Sequence, residues 1–232
     1  MPNIVAHMQI AAEATQTTDA AVLLGAAMPD FIGMYHDLHD GQLRAADFRT
    51  VPGLCDGLRL HQPTDDIFDA LLPVKEIVQV GRIALAEITP PLGNGAVRGC
   101  AKVAPDILLD GVLLEADSKV VDLYESTREA LLCGQIFSKE VPAAKEFERL
   151  VQEYFQRGVS YRYQDSETVA AILQRRFRHR PTKRLQFDEA AIPAVADALE
   201  IQRQRLLQVG AHIVALTTQE LIGRRLREPA AA

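Results

Sequence analysis

An all-α fold, arranged as a single-domain helical bundle, is predicted by three features of this chain. Apolar residues recur at intervals of three, four and seven, most plainly Ile192, Val195, Leu199, Leu206, Val209, Ile213 and Leu216, the spacing of one helix face. Alternating strand patterns are nearly absent; residues 78–83 are the best candidate, and the run is short. No internal repeat or low-complexity linker divides the 232 residues, which suffice for a sizeable hydrophobic core. Residues 1–228 therefore read as one helical domain, and the Ala-rich residues 229–232 as a frayed tail.

The elements follow in order. Residues 4–14 are Ala-rich with helical apolar spacing, and Thr17-Thr18-Asp19 offers N-cap residues for a helix over 20–28. Pro29 is expected to end or kink that helix, and a His- and Asp-rich loop is expected over 35–41. Pro52-Gly53 lead into a helix carrying Leu58, Leu60, His61 and Asp65. A further helix over 69–85 is interrupted at Pro73, and Pro90-Pro91 with Gly93-Asn94-Gly95 gives the strongest turn signal. The next helix, over 97–114, contains Pro105, which implies a kink or restart. Helices over 120–133, 142–157, 167–178 and 189–225 complete the chain.

Composition narrows the function. Residues are 48% apolar and 24% charged, an ordinary globular balance, and the formal charge of −6 argues against general nucleic-acid binding. Cys55, Cys100 and Cys133 are odd in number and far apart, so neither a disulfide framework nor a Cys-based zinc site is expected. No apolar run is long enough for a membrane span, and the N-terminal residues lack the pattern of a signal peptide. A cytoplasmic protein with reduced thiols is the expectation.

Two polar spacings point to chemistry. His61-Gln-Pro-Thr-Asp65 and Asp106-Ile-Leu-Leu-Asp110 each place two potential ligands at i and i+4, on one face of a helix. Asp106 and Asp110 lie in an apolar stretch, where an ionised carboxylate is costly unless a cation or hydrogen bonds compensate it. Taken singly, each such residue has a structural explanation. Together, His7, Asp30, His61, Asp65, Asp106 and Asp110 all fall beside apolar residues on helices or helix ends.

These motifs carry a resemblance. Ile4-Val5-Ala6-His7, Gly25 through Asp30-Phe31-Ile32, Gly57 through His61-Gln-Pro-Thr-Asp65, and Val103-Ala104-Pro105-Asp106 through Asp110 are similar, in order and spacing, to motifs of bacterial acyl-carrier-protein phosphodiesterases. That family looks like a distant relative of the HD-domain metal phosphohydrolases. The likeness runs to about residue 115 and reappears weakly over 175–180. Two positions depart from the pattern. Gly111 stands where the family has His, and Pro63 falls inside the His61–Asp65 pair, which would leave His61 near a helix start.

The resemblance implies an HD-domain-like bundle in which His7, Asp30, His61, Asp65 and Asp110 hold one or two divalent metals, with Asp106 nearby. Mixed imidazole and carboxylate donors suit Mn²⁺, Fe²⁺ or Zn²⁺. Asp65 or Asp106 is the expected general base. The implied activity is phosphodiester hydrolysis, with release of 4′-phosphopantetheine from acyl carrier protein as the implied reaction. The basic segment Arg175, Arg176, Arg178 and Arg180 is larger than a helix C-terminus needs, and suits a phosphate or an acidic partner.

Three alternatives stand beside it. Residues 7–30 also resemble the start of zinc-dependent phospholipase C-like proteins. An HD-type di-iron oxygenase would use a similar pocket. A non-catalytic helical interaction module would use the polar residues as a structural network and the C-terminal helix as its docking surface. His36-Asp37 and His39-Asp40, the two literal His-Asp dipeptides, are read as solvated loop residues over the site.

Overall fold

The computed structural model describes residues 4–38, 44, 48, 51–89, 92–134, 144–178 and 187–227, with backbone alone at 35–38, 144–146, 178 and 227. Among the described residues there is no strand. The helices are α1 (Ile4–Thr15), α2 (Ala20–Leu38), α3 (Leu54–Ala70), α4 (Leu72–Ala86), α5 (Asn94–Ala116), α6 (Ser118–Leu132), α7 (Ala144–Gln156), α8 (Ser166–Arg178) and α9 (Ile192–Arg227). Short 3-10 segments, Val159–Gln164 and Glu189–Ala191, precede α8 and α9.

Local chemistry accounts for the helix starts. Asp19 accepts from the Ala21 amide at 2.9 Å, Asp117 from the Lys119 amide at 2.8 Å, and Asp165 from the Thr168 amide at 3.1 Å. Each carboxylate satisfies a first-turn N–H that the helix itself leaves unpaired. Pro73 lies in the first turn of α4, where its missing N–H costs nothing, so the expected helix over 69–85 divides into α3 and α4.

Pro29, Pro63 and Pro105 all lie inside continuous helices. Pro29 does not end α2, which continues to Leu38, so the expected loop at 35–41 is helical as far as Leu38; residues 39–41 lie outside the described residues. Pro63 sits well within α3, and His61 is therefore an interior helical residue rather than a cap. Tertiary packing outweighs the local cost of about 3 kcal/mol for an interior proline. At Pro105 one compensation is visible. Proline has no N–H to give the carbonyl four residues back, Ala101, and the buried Gln202 of α9 donates its Nε2 to that oxygen at 3.2 Å.

The strand candidate at 78–83 is helical, within α4. Its buried residues, Val74, Ile77, Gly81 and Leu85, follow a helical interval, and Ile83 is exposed. Six residues were too few to separate the two periods.

Among the described residues the core is a single apolar cluster to which each of the helices α1 to α9 contributes. From Ala104 to Leu114, α5 is buried on every side, which marks it as the central helix. The long α9 packs across α4, α5 and α8. Helices α2 and α3 meet backbone to backbone: a Cβ at Gly57 would lie 2.0 Å from the Val22 oxygen, and one at Gly25 would lie 2.3 Å from the Leu54 oxygen. That approach carries His61, one turn beyond Gly57, against α2 near Asp30. Residues 228–232, including the expected tail, lie outside the described residues. No described helix is long and apolar enough to cross a membrane, and all three cysteines are free.

Candidate metal centre

Three helices supply four converging side chains. His7 comes from α1, Asp30 from α2, and His61 and Asp65 from successive turns of α3; all four are buried. His7 Nε2 lies 3.4 Å from Asp30 Oδ2 and 3.3 Å from Asp65 Oδ1, and His61 Nε2 lies 3.3 Å from Asp65 Oδ2. The two imidazoles stack with centroids 4.2 Å apart. One donor atom each from His7, Asp30 and His61 falls within 4.8 Å of the others.

Orientation of His61 is fixed from outside the cluster. Its Nδ1 lies 2.8 Å from the Ala26 carbonyl oxygen, which can only accept, so Nδ1 carries a proton. In the neutral ring Nε2 is then the bare nitrogen, and it faces Asp65. Histidine ligands to metals are commonly held by such a bond on the other ring nitrogen.

The cluster is electrostatically unbalanced as it stands. Burial pushes His7 down to about 4, so its ring is neutral at pH 7. Burial pushes the Asp30 carboxyl up to about 7, with the Asp65 charge adding to the rise and His61 opposing it. Asp65 is raised by burial, but His61 and His7 outweigh this and hold it well below the usual carboxylate range. His61 is lowered by burial, yet its contact with Asp65 and the charge of Asp30 leave it raised overall. His7 Nε2, Asp30 Oδ2 and Asp65 Oδ1 are buried without a hydrogen-bond partner. Leaving such groups unsatisfied is expensive, and a native fold retains them where something else serves them. The two imidazoles and the Asp30 carboxylate could together hold a metal ion.

The other expected site residues lie around this group. Asp110 is fully buried, and its Oδ1 accepts the Ala6 amide at 2.9 Å, while Oδ2 has no hydrogen-bond partner. Asp106 is buried on the same helix, and burial pushes its carboxyl up to about 8, with the Asp30 charge adding to the rise. Arg176 of α8 is half-buried, and its charge is close enough to favour the Asp30 anion. Arg175 is exposed. The side chains of Arg178 and His36, and all of Arg180 and His39, lie outside the described residues.

Two features had no sequence signal. Lys102, at the rim, pairs with Asp69 at 3.1 Å and feels the charges of Asp106 and Asp65. Beside Asp110 lies a set of phenols: Tyr154 Oη is 2.7 Å from Ser160 Oγ and donates to Tyr163 Oη at 3.5 Å, and Tyr124 Oη is buried without a partner. In sequence these tyrosines are indistinguishable from other core aromatics. The same 3-10 segment explains Gly111. A Cβ there would lie 2.3 Å from the Tyr163 carbonyl carbon, so backbone occupies the space a histidine side chain would need.

Comparison of the chain with protein-family models, curated proteins and solved structures finds no match to any of them.

Proposed function

We propose that this chain is a metal-dependent phosphoric diester hydrolase whose ligands are His7, Asp30, His61 and Asp65. One observation carries the reading: buried donor atoms of His7, Asp30 and His61, from three helices, lie within 4.8 Å of one another, and the Ala26 carbonyl holds the His61 ring from its Nδ1 side. When bound, Mn²⁺, Fe²⁺ or Zn²⁺ would acidify a water and polarise a phosphoryl oxygen.

The chain's own residues supply the rest. Asp65, kept anionic between two imidazoles, is committed to the ligand set. Asp106 holds its proton at neutral pH, which suits it to donate to a leaving alkoxide rather than to serve as the base expected from the motif. Arg176, near Asp30, offers a guanidinium to a phosphate, and the basic segment it belongs to suits an acidic carrier protein. The resemblance to acyl-carrier-protein phosphodiesterases makes the 4′-phosphopantetheine diester the substrate to try first.

The test is hydrolysis of bis-p-nitrophenyl phosphate and release of 4′-phosphopantetheine from holo-acyl carrier protein, with Mn²⁺, Fe²⁺ or Zn²⁺ added. Turnover that chelation and His61→Ala both abolish supports the reading. Failure to cleave either substrate with the metal-loaded protein contradicts it. An iron oxygenase would use the same donors, and iron stoichiometry with a visible spectrum separates that case.

A further inference from the structure

We propose that Asp110 is a positioning residue that holds His7 in place through the backbone of α1, and is not itself a metal ligand. The consequence for metal affinity rests on the ligand set proposed above; the clamp is a direct contact between two helices.

Helix α1 starts inside the protein. Ile4, Val5 and Ala6 are 0%, 1% and 0% exposed, so water cannot serve the first-turn N–H groups that have no acceptor within the helix. Asp110 is the internal acceptor. Its Oδ1 takes the Ala6 amide at 2.9 Å across 104 residues of sequence, and the Val5 amide also stabilises its charge. Burial raises the Asp110 carboxyl well above the ordinary carboxylate range, and these two amides oppose the rise. His7 is the next residue, so the turn that Asp110 clamps sets the direction of its side chain.

The surroundings of Asp110 match this role better than ligation. The mutually close donor group contains His7, Asp30 and His61, and neither Asp65 nor Asp110 belongs to it. Asp65 contacts both imidazoles, whereas among the described residues no ion pair joins Asp110 to either. The second Asp110 oxygen is buried and has no hydrogen-bond partner, and its charge is felt by Tyr124 and Tyr154. Asp110 thus stands between the first turn of α1 and a wall of phenols, behind His7.

Two variants distinguish positioning from ligation. Asn in Asp110→Asn keeps an oxygen for the Ala6 amide and loses the charge, whereas Leu in Asp110→Leu removes the acceptor. The readouts are Ala6 amide exchange and the His7 ring resonances by ¹H–¹⁵N NMR of the metal-free protein, together with Co²⁺ titration. Asp110→Asn is expected to keep the Ala6 protection and the His7 resonances, and to lose less Co²⁺ affinity than the about 10-fold minimum typical of a missing outer partner. Asp110→Leu is expected to lose the protection, shift His7 but not His61, and bind Co²⁺ about 10–100-fold more weakly.

The proposal is overturned if Asp110→Asn weakens Co²⁺ binding as much as His61→Ala does, or if Asp110→Leu leaves Ala6 and His7 unchanged. Should the Leu variant not fold, retention or loss of Ala6 protection and Co²⁺ affinity in Asp110→Asn decides. Wild-type protein that takes up no Co²⁺ would sink the metal reading, and the Ala6 and His7 signals would still decide the clamp.

Discussion

His61 Nδ1 sits 2.8 Å from the carbonyl oxygen of Ala26, and this contact between α3 and α2 determines which imidazole nitrogen faces the cluster. The bond is possible because Gly25 and Gly57 let the two helices touch, so backbone packing sets the chemistry of the ring. Removing the ring should cost more than removing an outer partner. His61→Ala is expected to lower Mn²⁺ or Zn²⁺ affinity by more than about 100-fold, read by isothermal titration, with far-ultraviolet circular dichroism unchanged.

Metal-free protein should lose stability as pH rises from about 6.5 to 8. Asp30 and Asp106 have folded values of about 7 and about 8 against an ordinary 3.8, and Asp110 is also raised. Their contribution is complete below 3.8 and is lost as pH rises through the folded values. His61, raised above 6.5, acts in the same direction. His7, lowered from 6.5 to about 4, adds stability as pH climbs between those values and nothing beyond them. The depressed Asp65 contributes above 3.8 and loses its effect only in acid. Each proton released is worth about 1.4 kcal/mol per pH unit. A cation held by Asp30 takes the place of its proton, so the rise in Tm on adding Mn²⁺ should grow from pH 6.5 to 8. Thermal scans with and without Mn²⁺ check this; an increment that shrinks over that range would count against it.

Gln202→Leu should destabilise the fold by about 1–3 kcal/mol, because it leaves the Ala101 carbonyl buried and unpaired above Pro105. Urea unfolding measures the loss. Metal affinity should be unchanged, since Gln202 bonds Ile77 and Ala101 rather than any residue of the cluster.

A histidine placed at position 111 should not help. In Gly111→His the new Cβ meets the Tyr163 backbone at 2.3 Å, and backbone cannot swing aside as a side chain does. A loss of about 3 kcal/mol or more is expected, at the upper end of overpacking effects. A Tm at or above that of the parent would contradict it.

Legibility in the sequence followed the range of the interactions. The His61–Asp65 spacing and the apolar setting of His7 and Asp30 are local, and they located four residues that converge. The amide that Asp110 holds belongs to a residue 104 positions away, so its partner could not be read from the i, i+4 pair with Asp106. The positions of Pro29, Pro63 and Pro105 inside continuous helices are not legible for a related reason: a proline's local cost is visible in sequence, while compensation such as Gln202 comes from another helix. The phenols beside Asp110 look like core residues because they are core residues that also carry hydroxyls. Of the expected arginines whose side chains are described, Arg175 and Arg176, the charge of Arg176 reaches the cluster.

The most direct test is an anomalous difference map from crystals grown with Mn²⁺ or Zn²⁺, collected on each side of the metal edge. The account predicts a peak about 2.0–2.2 Å from Nε2 of both His7 and His61, with oxygens of Asp30 and Asp65 completing the shell. A well-occupied peak elsewhere, with these four side chains closed on one another, would contradict it.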